Sequence, residues 1–332
     1  MPLPSGLIYE HEMKTNFVLP LILSFFFLLS CDKRSKIEKA VEEIPVAIKV
    51  DRFDKAFFET SPQDLPQLKQ EYPFFFPAGN DDNVWIEKMQ HPQWRELYTE
   101  VQKVYANFDG KTAEIENLFK HIKYYFPETK TPKVYTVISE MDYHNKVIYN
   151  KEMLIISLEL YLGSKHRFYD FPAYITQNFE SNQILPDIAS SFAKTKVAPP
   201  SDLSFLAQMI YAGKELYLKD QLLPETTDND KIGYTKEQLV WCQENEGYIW
   251  RYFIENKMLY DTNQKLIPRF IYLAPFSKFY LEIDNETPGR IGTWIGWQIA
   301  RSFMENNKVS LNDFLKMDAK EIFEKSKFKP KK

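Results

Sequence analysis

The sequence predicts an α+β domain that is predominantly helical and carries a small antiparallel sheet. Three observations predict it. Alternating β-branched segments concentrate in one stretch, residues 133–158. Apolar residues at helical spacing govern most of the chain beyond that stretch, notably 203–217 and 290–306. Aromatic residues make up 16% of the chain against only 10 Gly, a composition that suits a well-packed globular body rather than a repeat or disordered chain.

In chain order, residues 1–12 read as an extension upstream of a start at Met13. Lys14 then precedes a charge-free run from Phe17 to Leu29, well short of the roughly 20 residues a spanning helix needs. A basic start, a short apolar core and small Ser30 at its exit describe a secretory signal over residues 13–30. The exit, Leu28-Leu29-Ser30-Cys31, resembles the bacterial lipobox, in which the Cys is lipidated, with palmitate among the acyl groups, and becomes the first mature residue. Residues 31–43 are then a lipidated, flexible tether. Its Lys33-Arg34-Ser35-Lys36 cluster suits either lipid headgroups or solvent. Order is expected from Ile44, and residues 44–328 form a single domain.

Val46-Ala47-Ile48-Lys49-Val50 has the character of a strand, and Arg52–Phe58 turns helical. Tyr72-Pro73-Phe74-Phe75-Phe76-Pro77 is bounded by Pro and is expected to be a packed loop. Two or three helices fit between Asp82 and Tyr125. Lys133–Ile138, Asn145–Tyr149 and Met153–Leu158 are three strands with polar links, expected to form an antiparallel meander. Pro199-Pro200-Ser201 stops one segment and caps the next, whose face is Leu203, Leu206, Ile210, Gly213 and Tyr217. Thr287-Pro288-Gly289 starts a last long helix over about Arg290–Asn306, with Ile291, Ile295, Ile299 and Phe303 along one side.

Composition and motifs narrow the function. The net charge is −4 and no basic tract is dense enough for a nucleic-acid binder. Beyond Cys31 only Cys242 remains, so an internal disulfide is ruled out, and Cys242 is expected to be a buried, inert thiol. The histidines His11, His91, His121, His144 and His166 are scattered. There is no H-E-x-x-H, no Cys cluster and no G-x-S-x-G elbow. No catalytic residue, metal ligand or cofactor is assigned. Gly289, Gly292 and Gly296 lack phosphate-loop spacing, and Gly292 and Gly296 suit close approach of another backbone. Glu282, Asp284 and Glu286 would share one face of an extended strand, where they could attract Ca²⁺ or act as acid and base groups. A solvated strand edge, neutralised by Lys278 and Arg290, is the plainer expectation. Together with Arg290, Trp294 and Trp297 they are the candidate ligand or partner surface.

Several segments carry a whole-chain likeness. Val50–Phe58, Tyr72–Pro77, His121-Ile122-Lys123-Tyr124-Tyr125-Phe126-Pro127, Gln208–Tyr217, Pro275–Glu282 and Pro288–Gln298 resemble the GldB family of gliding-motility lipoproteins of Bacteroidota. That resemblance implies a role in gliding linked to type IX secretion, membrane attachment through the lipid, envelope proteins of the gliding or secretion machinery as partners, and no established enzymatic activity. A weaker resemblance is to zincin-like metallopeptidases, on the small sheet, the long helix and the P-G-R-x-G-x-x-x-G ending at Gly296. Gln208, Tyr211 and Glu215 stand where such enzymes carry H-E-x-x-H, which implies a zincin-like helical arrangement lacking a metal site.

Three readings fit these features. The first is a non-catalytic motility lipoprotein facing the periplasm. The second is a zincin-like or peptidoglycan-directed hydrolase. The third is a glycan-binding lipoprotein using exposed Trp and Tyr.

Overall fold

The computed structural model describes residues 36–331. Cys31, the signal segment and the upstream extension lie outside the described residues. Within the described residues, 41–331 belong to one compact unit and 36–40 to another.

The described chain opens with a helix, α1 (Lys36–Glu42), in which Val41 is fully buried. The tether expected over residues 32–43 is therefore helical in its second half. Ile-Glu-Lys-Ala-Val-Glu is a run of good helix formers, and charge alone concealed it. A short strand β1 (Val50–Asp51) and helix α2 (Phe53–Glu59) follow. Helices α3 (Leu65–Glu71), α4 (Asp82–Gln90), α5 (Pro92–Tyr105) and α6 (Asp109–Tyr125) come next. Between α3 and α4 the Pro-bounded aromatic segment packs as expected, around a single 3-10 turn (Pro73–Phe75), with Phe75 stacked 4.2 Å from Phe53.

The sheet corrects the meander. Strands β2 (Lys133–Val137), β3 (Val147–Tyr149) and β4 (Met153–Ser157) join β1 in the order β1-β2-β4-β3. The β1–β2 and β2–β4 pairs are parallel, and only β3–β4 is antiparallel. Link length explains the difference. Asn150 to Glu152 makes a tight turn, in which Asn150 Oδ1 accepts from the backbone of Glu152 and Met153. The stretch 138–146 is far too long for a tight hairpin, so it carries β3 past β4 to the sheet edge. As a central strand, β2 buries every residue after Lys133, the continuous apolar pattern of a parallel strand covered on both faces.

After the sheet come α7 (Ala173–Thr176), α8 (Ile184–Ala193), α9 (Phe205–Leu222), α10 (Asp228–Ile232), α11 (Lys236–Glu255), α12 (Leu266–Phe270), α13 (Ile291–Asn306), α14 (Leu311–Lys316) and α15 (Ala319–Ser326). Helix α8 packs on β3, α9 on α8, and α13 on α9. Ser204, not Ser201, caps α9, accepting from the Ala207 N–H while Asp202 holds its hydroxyl; Leu203 is left exposed. The α9–α13 crossing rests on glycine. A Cβ at Gly213 would overlap the Gly296 carbonyl, and one at Gly296 would overlap that of Met209, so the two backbones meet directly, as the Gly spacing predicts.

Candidate functional site

Along the line where α8, α9, α10 and the start of α13 converge, charged side chains are collected inside an otherwise apolar body. They surround a cavity of about 150 Å³. Helix α9 contributes Glu215 and Lys219 one turn apart, so both project from one face. Helix α8 contributes Asp187 and Ser190 in the same way. Lys146 comes from the residue before β3 and Arg290 from the residue before α13.

Two ion pairs organise the cavity. Lys146 Nζ lies 2.6 Å from Asp187 Oδ2, which also accepts from the Tyr161 hydroxyl at 2.8 Å. The Lys146 ammonium sits over the Tyr161 and Phe179 rings. Glu215 Oε1 accepts from Ser190 Oγ at 2.7 Å, with Lys219 Nζ at 3.6 Å. Lys219 is buried and donates to the Lys231 carbonyl at 2.9 Å. Burial lowers its pKa from the usual lysine value, against the pull of Glu215. Arg290 Nη1 donates to the Ile232 carbonyl at 2.6 Å. The Arg290 backbone is left-handed, with φ 62°, a conformation that costs a non-glycine residue about 1 kcal/mol or more.

A second cluster, behind the first, is electrically closed. Arg301 grips Asp220 and Asp228 with both edges of its guanidinium at 2.7–2.8 Å. Lys231 adds a contact to Asp220 at 3.1 Å. The Trp297 indole N–H donates to Asp220 at 2.8 Å, and the Arg301 guanidinium lies 3.8 Å from the Trp297 ring centre.

This arrangement relocates the candidate surface residues. Trp294 and Trp297 are both buried, and Trp297 supports a salt-bridge network. They form no exposed aromatic platform for a glycan, because the apolar side of α13 points into the core. Glu282, Asp284 and Glu286 do not alternate on a strand. Asp284–Glu286 is a 3-10 turn, and the Asp284 carboxylate accepts from the Phe279, Tyr280 and Leu281 N–H groups at 2.8–3.2 Å. Asp284 is thus a loop cap, while Glu282 and Glu286 remain exposed. Arg290 is directed to the α10 carbonyl rather than to this acidic loop. Among the described residues no cluster of three or more His, Cys, Asp or Glu is arranged to hold a metal ion. Cys242 is buried, and burial pushes its thiol well above the usual range, which keeps it inert. Lys146, Asp187, Lys219 and Lys231 escape sequence reasoning. The available signal was charge on apolar helices: Asp187 lies inside Ile-Leu-Pro-Asp-Ile-Ala, and Lys219 inside Leu-Tyr-Leu-Lys-Asp.

A larger open groove, about 520 Å³, lies between α2, α4 and the sheet. Its walls are mainly Phe53, Phe57, Phe75, Trp85, Ile138 and Ile155. The polar Ser139 on its rim is tied to buried Glu159, whose Oε1 accepts from both its N–H and its hydroxyl. The groove lining is mainly apolar; convergent charge marks the smaller cavity.

No helix among the described residues is long and apolar enough to cross a membrane. No curated protein and no solved structure matches the chain. The family model described as gliding motility protein GldB matches residues 34–330, taking in every element from α1 to α15. The chain therefore belongs to the GldB family of gliding-motility lipoproteins.

Proposed function

We propose that this protein is a lipid-anchored, non-catalytic component of the gliding machinery, attached to a membrane through Cys31 and facing the periplasm. In this reading it works by holding other envelope proteins, among them components linked to type IX secretion. The observation that carries it is the GldB family match over residues 34–330. The charge-free run ending in Ser30-Cys31 supports the anchor. Apolar side chains left in solvent support docking: Tyr248 is 68% and Tyr280 74% exposed, and Tyr248, Leu281 and Ile283 border one open trough.

Crosslinking in intact cells, followed by purification from the membrane fraction, tests the docking role. Recovery of a gliding or secretion envelope protein supports it, and recovery of no envelope protein counts against it. Elemental analysis of the purified protein tests the absence of metal chemistry. Stoichiometric zinc would overturn that part of the reading and favour a hydrolase.

A further inference from the structure

The cavity between α8, α9 and Arg290 holds an unequal set of charges. Lys231, which reaches the cavity wall, forms with Arg301, Asp220 and Asp228 a balanced group of two cations and two carboxylates beside it. Lys146 is closed by Asp187. What remains is Lys219 and Arg290 against Glu215 alone. Glu215 lies 3.6 Å from Lys219, a loose pair, and already accepts from Ser190. Among the described residues Arg290 has no carboxylate within salt-bridge distance; its hydrogen bond goes to a backbone carbonyl. The half-buried Arg290 guanidinium is therefore without an opposite charge in contact.

Removing even part of an ion's hydration without a counter-ion is unfavourable, and a lysine ammonium has three protons to donate. Lys219 directs one to the Lys231 carbonyl and leans another toward Glu215. The guanidinium of Arg290 also has donors beyond the one it gives to Ile232. The cavity, about 150 Å³, is polar and has room for several waters. That is room for a small oxyanion with its bridging waters.

We propose that this cavity binds a single small oxyanion, a carboxylate or a phosphate group, held between Lys219 and Arg290. Its one negative charge completes the pairing that Glu215 leaves unfinished. Ser190 fixes the Glu215 carboxylate, and Asp187 neutralises Lys146.

The test uses the full chain in detergent, purified in a low-anion buffer. Titration calorimetry with inorganic phosphate and, separately, with acetate reads affinity and stoichiometry, with chloride at matched ionic strength as the control. The expected result is one site per chain for at least one of the two; which of them binds more tightly identifies the group. Arg290→Gln and Lys219→Met should each weaken binding about tenfold or more, equivalent to ~1.4 kcal/mol. Glu215→Gln, which keeps an acceptor for Ser190 but removes a competing negative charge, should strengthen it. This last variant guards against misfolding, because no damaged protein gains affinity. Absence of a stoichiometric site for both anions would overturn the proposal. So would binding that Arg290→Gln and Glu215→Gln leave unchanged.

Discussion

Replacing Gly296 by alanine adds one methyl group where α13 touches α9. The position of that methyl is occupied by the Met209 carbonyl, and the reciprocal position at Gly213 by the Gly296 carbonyl and the Trp297 nitrogen. The obstacle is backbone, so no side-chain rotation relieves it. The helices must move apart, loosening fully buried Ile210, Ile295 and Ile299. Overpacking of this kind costs about 1–3 kcal/mol, and the separated helices lose contacts beyond that. Better helix propensity of alanine returns about 1 kcal/mol. The net expectation for Gly296→Ala is a loss of about 2 kcal/mol. At about 2–4 °C per kcal/mol for a domain approaching this size, melting should fall by roughly 4–8 °C. Gly110→Ala is the matched control: it lies in α6, and an added methyl there meets nothing within 4 Å, so its stability should hold or rise. Gly213→Ala combined with Gly296→Ala should cost less than the sum of the two, because both act by separating the same helices. Thermal and urea unfolding followed by far-UV circular dichroism read wild type and all four variants. A Gly296→Ala protein that melts at or above wild type would refute direct backbone contact between α9 and α13.

Other consequences are equally concrete. Arg301→Gln leaves Asp220 and Asp228 facing each other, with Lys231 as the remaining cation in contact; breaking a fully buried pair costs about 3–5 kcal/mol, and partial exposure of Arg301 and Asp228 reduces the expected loss to about 2–3 kcal/mol, which urea unfolding checks. Burial raises the Glu159 carboxyl above its ordinary pKa. A raised folded-state pKa contributes stability that is full below the unfolded value, near 4.3, and is lost as pH rises through the folded value. Wild type should therefore lose stability relative to Glu159→Gln as pH rises from about 4, and parallel pH–stability curves for the two would contradict this. Cys242 should resist thiol reagents in the native protein and react at the rate of unfolding, so rapid native labelling would show that the α11 thiol is accessible.

The physical scale of each signal decides how much of the fold and the site was legible in sequence. Long-period apolar patterns, such as Ile291, Ile295, Ile299 and Phe303, located α13 to within a residue, because burial along a helix face is written directly into residue spacing. The glycines at 292 and 296 likewise signalled close backbone approach. Strand pairing was not legible: β2, β3 and β4 were found, but their order depends on which neighbour the link over 138–146 reaches, and tertiary packing settles that. The carboxylates at 282, 284 and 286 misled because alternation implies one face only if the chain is extended, whereas three backbone N–H groups converge on Asp284 and curl the segment into a turn. Trp294 and Trp297 misled because they lie among the Ile residues of an apolar helix stretch, and the whole run from Ile291 to Trp297 is buried. The charged cavity was out of reach because its members are separated by up to 144 positions, Lys146 to Arg290, and only the convergence of α8, α9 and α13 unites them.

Lipid anchoring and motility meet in one complementation experiment. A strain lacking the gene receives either the wild-type chain or Cys31→Ala, and colony spreading is scored beside membrane fractionation of the protein. Restored gliding with wild type, together with loss of both membrane attachment and gliding for Cys31→Ala at equal protein level, is the expected result. Cys31→Ala that stays in the membrane fraction and restores gliding as fully as wild type would contradict a lipid-anchored role in the motility machinery.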